Sequence, residues 1–257
     1  LLNHATHLTR NVLHGGGGMT AALAYSNFMP RRHGQPRRAL VSQSWFQRWM
    51  SRQIALLNIE LRVSGAPLIE QGLCVANHIS WLDIPVLMQM RRFAFIAKSE
   101  VRDWPLVGRF ARSMGTLFIE RHNRFSVYRK LPQIEQVLRA GQPVMLFPEG
   151  TTSLGDRILP FHPMIFETAV RTSLPVQSIT LRYLDSAGQP LPSVSFVDED
   201  SFFEALWRTL NERRIIADLH ASPAIPSRDS TRKHLARQCR DQMQGRLSVL
   251  QSVHQSG

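Results

Sequence analysis

A chain of 257 residues with 43% hydrophobic and 19% charged residues can bury a core and is too apolar to be a disordered tail. Its formal net charge of +12 calls for an acidic partner: nucleic acid, an anionic membrane surface or an anionic substrate. Two cysteines, Cys74 and Cys239, make no disulfide framework and fit a reducing compartment.

The charge is uneven. Residues 1–62 hold eight arginines against one acid, Glu60, and residues 228–246 hold six basic residues against two acids. Neither zinc-finger spacing nor a basic stretch interleaved with stacking aromatics is present, so a nucleic-acid partner is not expected. No run approaches the ~20 apolar residues that span a bilayer. No secretory signal is visible, and a chain that opens on Leu1 leaves a preceding segment open.

Gly15 to Gly18 should break any helix near the start. The short apolar stretch Met19 to Phe28 suits an interface or a core better than a membrane span. A basic, proline-bounded loop follows, Pro30 to Arg38. Residues 39–57 then read as an amphipathic helix, with Val41, Trp45, Trp49, Ile54, Leu56 and Leu57 on the apolar side and Arg48 and Arg52 one turn apart. Such a helix can lie on an anionic membrane or pack on a domain core.

From residue 58 strands and helices alternate. Strands are predicted over 58–63, 73–76, 93–97, 116–119, 143–147, 176–183, 193–197 and 214–219. Helices are predicted over 84–90, 124–140, 166–172, 201–210 and 230–250, with a helical turn around Trp104, Pro105 and Gly108. This order implies an α/β fold: a mixed, largely parallel sheet flanked by helices, preceded by the N-terminal amphipathic segment. Ligands bind such sheets off the strand ends.

Three strands end in polar clusters. After Leu73 to Ala76 comes Asn77-His78-Ile79-Ser80-Trp81-Leu82-Asp83. On one continuous helix five residues turn about 500°, which would leave His78 and Asp83 ~140° apart. The pair meets only if His78 lies in a turn and Asp83 opens the following helix. The carboxylate then holds one ring nitrogen, and the other can take a proton from a hydroxyl. The second cluster is Gly115-Thr116-Leu117-Phe118-Ile119-Glu120-Arg121 and the third Phe147-Pro148-Glu149-Gly150-Thr151. Together they offer a base, its orienting acid, a cation and a turn with backbone donors. Ser80 lies in no Gly-x-Ser-x-Gly elbow, and Cys74 sits in an apolar run, so neither is expected to be a nucleophile. Walker and Gly-x-Gly-x-x-Gly loops are absent, as is any common zinc motif.

These blocks resemble the glycerolipid acyltransferase family, whose best-known members are the 1-acylglycerol-3-phosphate acyltransferases. Asn77, His78 and Asp83 match its N-H-x4-D motif. Gly115, Phe118, Ile119 and Arg121 match G-x-x-F-I-x-R, and Phe147 to Thr151 match F-P-E-G-T. Leu174-Pro175-Val176 loosely matches a fourth motif, and Lys98 and Pro105 to Gly108 also fit. The resemblance covers roughly 58–185. It implies transfer of an acyl chain from acyl-CoA or acyl carrier protein to the free hydroxyl of lysophosphatidic acid; the basic N-terminal region would place this at the cytoplasmic face of the cell membrane. It further implies His78 as general base oriented by Asp83 and Arg121 on the head-group anion. Asn77, Gly115, Thr116, Phe147, Pro148, Glu149, Gly150 and Thr151 would shape the substrate site. No metal and no cofactor beyond the acyl carrier is implied. Residues 1–57 would be a basic, membrane-associating segment and 58–257 the acyltransferase domain. Many members that handle phosphate head groups carry arginine where this chain has Thr152, which resembles relatives acting on other lysolipids such as lyso-ornithine lipid. A non-catalytic lipid-binding protein on the same fold is the reading from another class.

Overall fold

The computed structural model describes residues 43–103, 107–113, 115–120, 124–197 and 200–255. The expectations for residues 1–42, Trp104, Pro105 and Arg121 lie outside the described residues, as do the side chains of Trp45 and Trp49.

Helices are α1 Gln43–Leu56, α2 Asp83–Met90, α3 Val107–Ser113, α4 Arg124–Arg139, α5 Glu167–Thr172, α6 Phe202–Asn211 and α7 Arg232–Gln255. Strands are β1 Ile59–Gly65, β2 Leu73–Ala76, β3 Ala94–Lys98, β4 Leu117–Ile119, β5 Val144–Leu146, β6 Val176–Leu184 and β7 Ile215–Ala221. They form one sheet in the order β1-β7-β6-β2-β5-β3-β4. The five strands from β6 to β4 run parallel; β7 lies antiparallel to β6, and β1 parallel to β7. This is the mixed, largely parallel sheet expected.

Helices cover both faces, so the central strands are apolar throughout rather than alternating. Cys74, Ala76, Met145, Ile179 and Leu181 face one core with Met50 and Ile54 of α1 and Val86 and Leu87 of α2. Leu73, Val75, Val144, Leu146 and Val176 face the other, with α4, α5 and α7. In α4 the buried residues Val127, Leu131, Ile134 and Leu138 keep the helical period. Gly141 ends the turn after it at φ +82°, a conformation that costs a side chain energy. Helix α1 packs on the domain: besides its buried residues, Gln47 donates to the Met90 carbonyl and Gln89 donates to Ser51. Among the described residues no helix is long and apolar enough to cross a membrane.

One predicted strand, 193–197, does not form. Pro192 opens a 3-10 turn, Pro192–Val194, and the chain then runs beside the turn after β2 without joining a ladder. Residue type alternates here but burial does not: Val194 and Ser195 are both buried, and Phe196 and Val197 are both half-buried. The burial comes from packing on the core and not from a sheet face.

Candidate active site

The centre of the site is the turn between β2 and α2. Asp83 is the first residue of α2, where a carboxylate is favoured by the positive end of the helix. His78 sits in the turn before it, as the spacing required. His78 Nδ1 lies 2.6 Å from Asp83 Oδ2. The same oxygen accepts from the backbone N–H groups of Ile79 at 2.8 Å and Ser80 at 3.1 Å. Asp83 Oδ1 accepts from the Tyr183 hydroxyl at 2.9 Å. Asp83 is fully buried while the His78 side chain keeps 18% of its surface open. With Nδ1–H donated to a carboxylate, Nε2 is the basic nitrogen.

The imidazole is also held in plane. It stacks on Phe147 with ring centroids 3.9 Å apart and 9° between planes. That contact follows from topology: β5 is the parallel neighbour of β2, so the residues leaving both strands meet. Ser153 closes the arrangement, its N–H donating to the His78 carbonyl at 2.8 Å.

Glu149 is buried two residues beyond Phe147, and neither carboxylate oxygen has a hydrogen-bond partner of good geometry. Burial pushes its acid up to about 8, and the Asp83 charge adds to the rise. The backbone amides of His78 and Leu159, and Arg240 further off, offset only part of this. Gly150 follows at φ +75°, where an added Cβ would meet the His162 ring at 3.0 Å. Pro148 is buried and Thr151 exposed. The Thr152 hydroxyl donates to the Phe196 carbonyl, and Phe196 N–H donates to Ile79 O at 2.9 Å. Residues 195–197 thus form a strap along the turn that carries His78. Arg208 fixes it by donating to the carbonyls of Ser193 and Ser195 while pairing with Asp200 at 2.6 Å. That pairing holds the Asp200 carboxyl down at about 2.

The remaining expected residues take other places. Asn77 ties two strands together. It is fully buried, and its amide donates to the Leu181 carbonyl at 3.0 Å and accepts from Leu181 N–H at 2.7 Å, locking the end of β2 to β6. Gly115 and Thr116 do not converge on His78. They precede β4, whose last residue Ile119 pairs with Lys98, so they lie toward the opposite edge of a parallel sheet. Thr116 is three residues below Ile119, and β4 is three strands from β2: roughly 10 Å down and about 14 Å across. Both cysteines are buried with thiols pushed up to about 12 by desolvation, which agrees with Cys74 as a core residue. Tyr183, Ser153 and Phe196 carry the site without having been singled out in the sequence. Only Tyr183 left a signal there: it continues the buried alternation Ile179, Leu181, Tyr183.

Asn77→Ala removes both bonds to Leu181 and strands a buried N–H and C=O. The expected loss of stability is roughly 2 to 4 kcal/mol, read from the urea midpoint.

The Acyltransferase family model matches residues 58–182. A lyso-ornithine lipid O-acyltransferase of Pseudomonas aeruginosa is 34% identical over 223 residues, 87% of this chain and 84% of that protein. Another, of Brucella abortus, is 34% identical and covers 82% of each chain. A 1-acyl-sn-glycerol-3-phosphate acyltransferase of Neisseria gonorrhoeae is 35% identical over 63% of this chain and 64% of its own. The crystal structure of the 1-acyl-sn-glycerophosphate acyltransferase PlsC from Thermotoga maritima superposes with a TM-score of 0.68 over 97% of both chains at 19% identity, a shared fold. A His–Asp pair built into the turn after β2, the matched span and relatives aligned over more than four fifths of their length agree: this chain belongs to the glycerolipid acyltransferase family.

Proposed function

We propose that the protein transfers an acyl chain from a thioester to the free hydroxyl of a lysolipid, with His78 as general base. The observation that carries this reading is the 2.6 Å contact between His78 Nδ1 and a buried, fully bonded Asp83, with 18% of the His78 side chain left open. His78 Nε2 takes the hydroxyl proton as the oxygen attacks the thioester carbonyl. The C–S bond breaks, and the departing thiolate takes the proton from the imidazolium. Asp83 keeps the tautomer and stabilises the imidazolium. No acyl-enzyme forms, in keeping with cysteines that are buried and protonated. Glu149, Gly150 and Thr151 shape the acceptor site, and Arg121 binds the head-group anion, a planar fork that suits phosphate or carboxylate.

The acceptor is lysophosphatidic acid, giving phosphatidic acid, and the donor acyl-CoA or acyl carrier protein. A second acceptor, lyso-ornithine lipid, is favoured by residue 152. A threonine stands there and its hydroxyl is spent on the Phe196 carbonyl, so it offers no cation to a phosphate. The relatives that align over four fifths of this chain also bear that name. The basic N-terminal region holds the protein on the anionic cytoplasmic leaflet, each Lys or Arg near the surface contributing ~1 kcal/mol.

The test is acyl transfer by the purified protein on vesicles, pairing lysophosphatidic and lyso-ornithine acceptors with both donors. Transfer to one acceptor, rising with anionic lipid content and falling with salt, is the expected result. A rate indifferent to both would remove the membrane reading. Lysolipid binding without transfer from any pair would make this a non-catalytic lipid-binding protein.

A further inference from the structure

We infer that Tyr183 is a positioning residue of the His78–Asp83 pair, whose hydroxyl tempers the charge on Asp83 and so sets the pH range in which His78 is a free base. The inference rests on the proposed role of His78. Tyr183 lies on β6 and is 4% exposed. Its hydroxyl donates to Asp83 Oδ1 at 2.9 Å, while the His78, Ile79 and Ser80 bonds all fall on Oδ2. Tyr183 is therefore the donor that serves the second oxygen among the described residues.

Its placement is built in. Asn77 grips both backbone groups of Leu181, and Tyr183 is two residues further along the same strand, on the same face. The residue before His78 thus fixes the register that brings the phenol to Asp83. The hydroxyl is a constant donor. Burial first, then the Asp83 charge, pushes its ionisation well above the usual range, so it never turns into an acceptor at working pH. The other titratable groups near the pair are Glu149, from the loop after β5, and Arg240 of α7 acting on Glu149.

A hydrogen bond to a carboxylate disperses its charge and weakens its hold on a neighbouring cation. Without the phenol, Oδ1 is buried with no donor. The carboxylate then attracts the imidazolium more strongly, and less of His78 is the neutral base at a given pH.

The experiment is Tyr183→Phe, which keeps the ring and deletes the donor, with kcat/KM measured against pH beside the wild type. The acid limb is expected to move up by on the order of one pH unit. Activity below that limb then falls about tenfold, more than on the alkaline plateau. The NMR titration midpoint of the His78 ring protons should rise with it. Should Tyr183→Phe fold poorly, incorporation of 3-fluorotyrosine makes the phenol a stronger donor and the limb should move down. A limb that stays in place, with activity uniformly reduced or unchanged, overturns the inference and leaves Tyr183 as packing. His78→Ala separates the two ideas. If that variant keeps wild-type activity the base reading fails; if it is inactive and the limb does not move, only the role of Tyr183 fails.

Discussion

His78→Ala is expected to lower kcat by roughly 10² to 10⁴, with a smaller effect on acceptor KM. The loss belongs to the proton transfer, since the ring is the basic group that Asp83 orients and Phe147 stacks against. The Ala variant also leaves Asp83 buried without its imidazole partner, though the Ile79, Ser80 and Tyr183 donors remain. The variant should therefore fold, and circular dichroism and a urea midpoint check that before any rate is compared. Steady-state kinetics with the preferred acceptor then decide. Unchanged kcat would remove His78 as the base and with it the mechanism.

Glu149→Gln is expected to flatten the pH dependence of stability. The Glu149 acid rises from the ordinary 4.5 to about 8 in the folded chain, chiefly by desolvation. Folding therefore takes up a proton between those two values. The stability tied to the neutral acid is complete below about 4.5 and is lost as the pH climbs toward 8. The slope is about 1.4 kcal/mol per pH unit, so the wild type should lose on the order of 3 to 5 kcal/mol across that window. The amide of glutamine cannot ionise and keeps nearly the same shape. Urea unfolding at pH 5 and pH 8.5 checks this: the wild type should weaken between them, and the variant should weaken much less. Equal slopes would mean that Glu149 is charged and solvated at neutral pH.

The same carboxyl bears on activity. Above pH 8 its ionisation would place a second negative charge near Asp83, whose own charge already acts on it. The neutral carboxyl of Glu149 can donate one hydrogen bond while its carbonyl oxygen still accepts; once ionised it can only accept.

Much of this molecule was legible from residue order. Strand β2 is bounded as predicted, an apolar run that gives way to the polar pair Asn77-His78. Helix α4 was visible because Val127, Leu131, Ile134 and Leu138 repeat with the helical period. The spacing of His78 and Asp83 required a turn and a helix start, and α2 begins at Asp83. These are local features, written in neighbouring residues.

What the linear pattern missed depends on neighbours far along the chain. The 193–197 segment alternates in residue type, but Pro192 opens a 3-10 turn and the chain then bonds to the turn after β2, where it meets no ladder partner. The match of Gly115 to a family motif says nothing of which end of β4 it and Thr116 occupy; strand direction decides that. Asn77 reads as a polar residue beside a catalytic histidine, and only the approach of Leu181, 104 residues away, shows it is a clamp. Tyr183 is likewise a residue of a buried strand until β6 lies against β2 and its hydroxyl reaches Asp83. By itself the sequence determined the fold class, the acid–base pair and the family, since these rest on short-range pattern and on residue type. Tertiary structure alone decided which polar side chains hold the pair and which only hold the sheet, because a hydrogen bond depends on distance in space and the chain encodes only distance along itself.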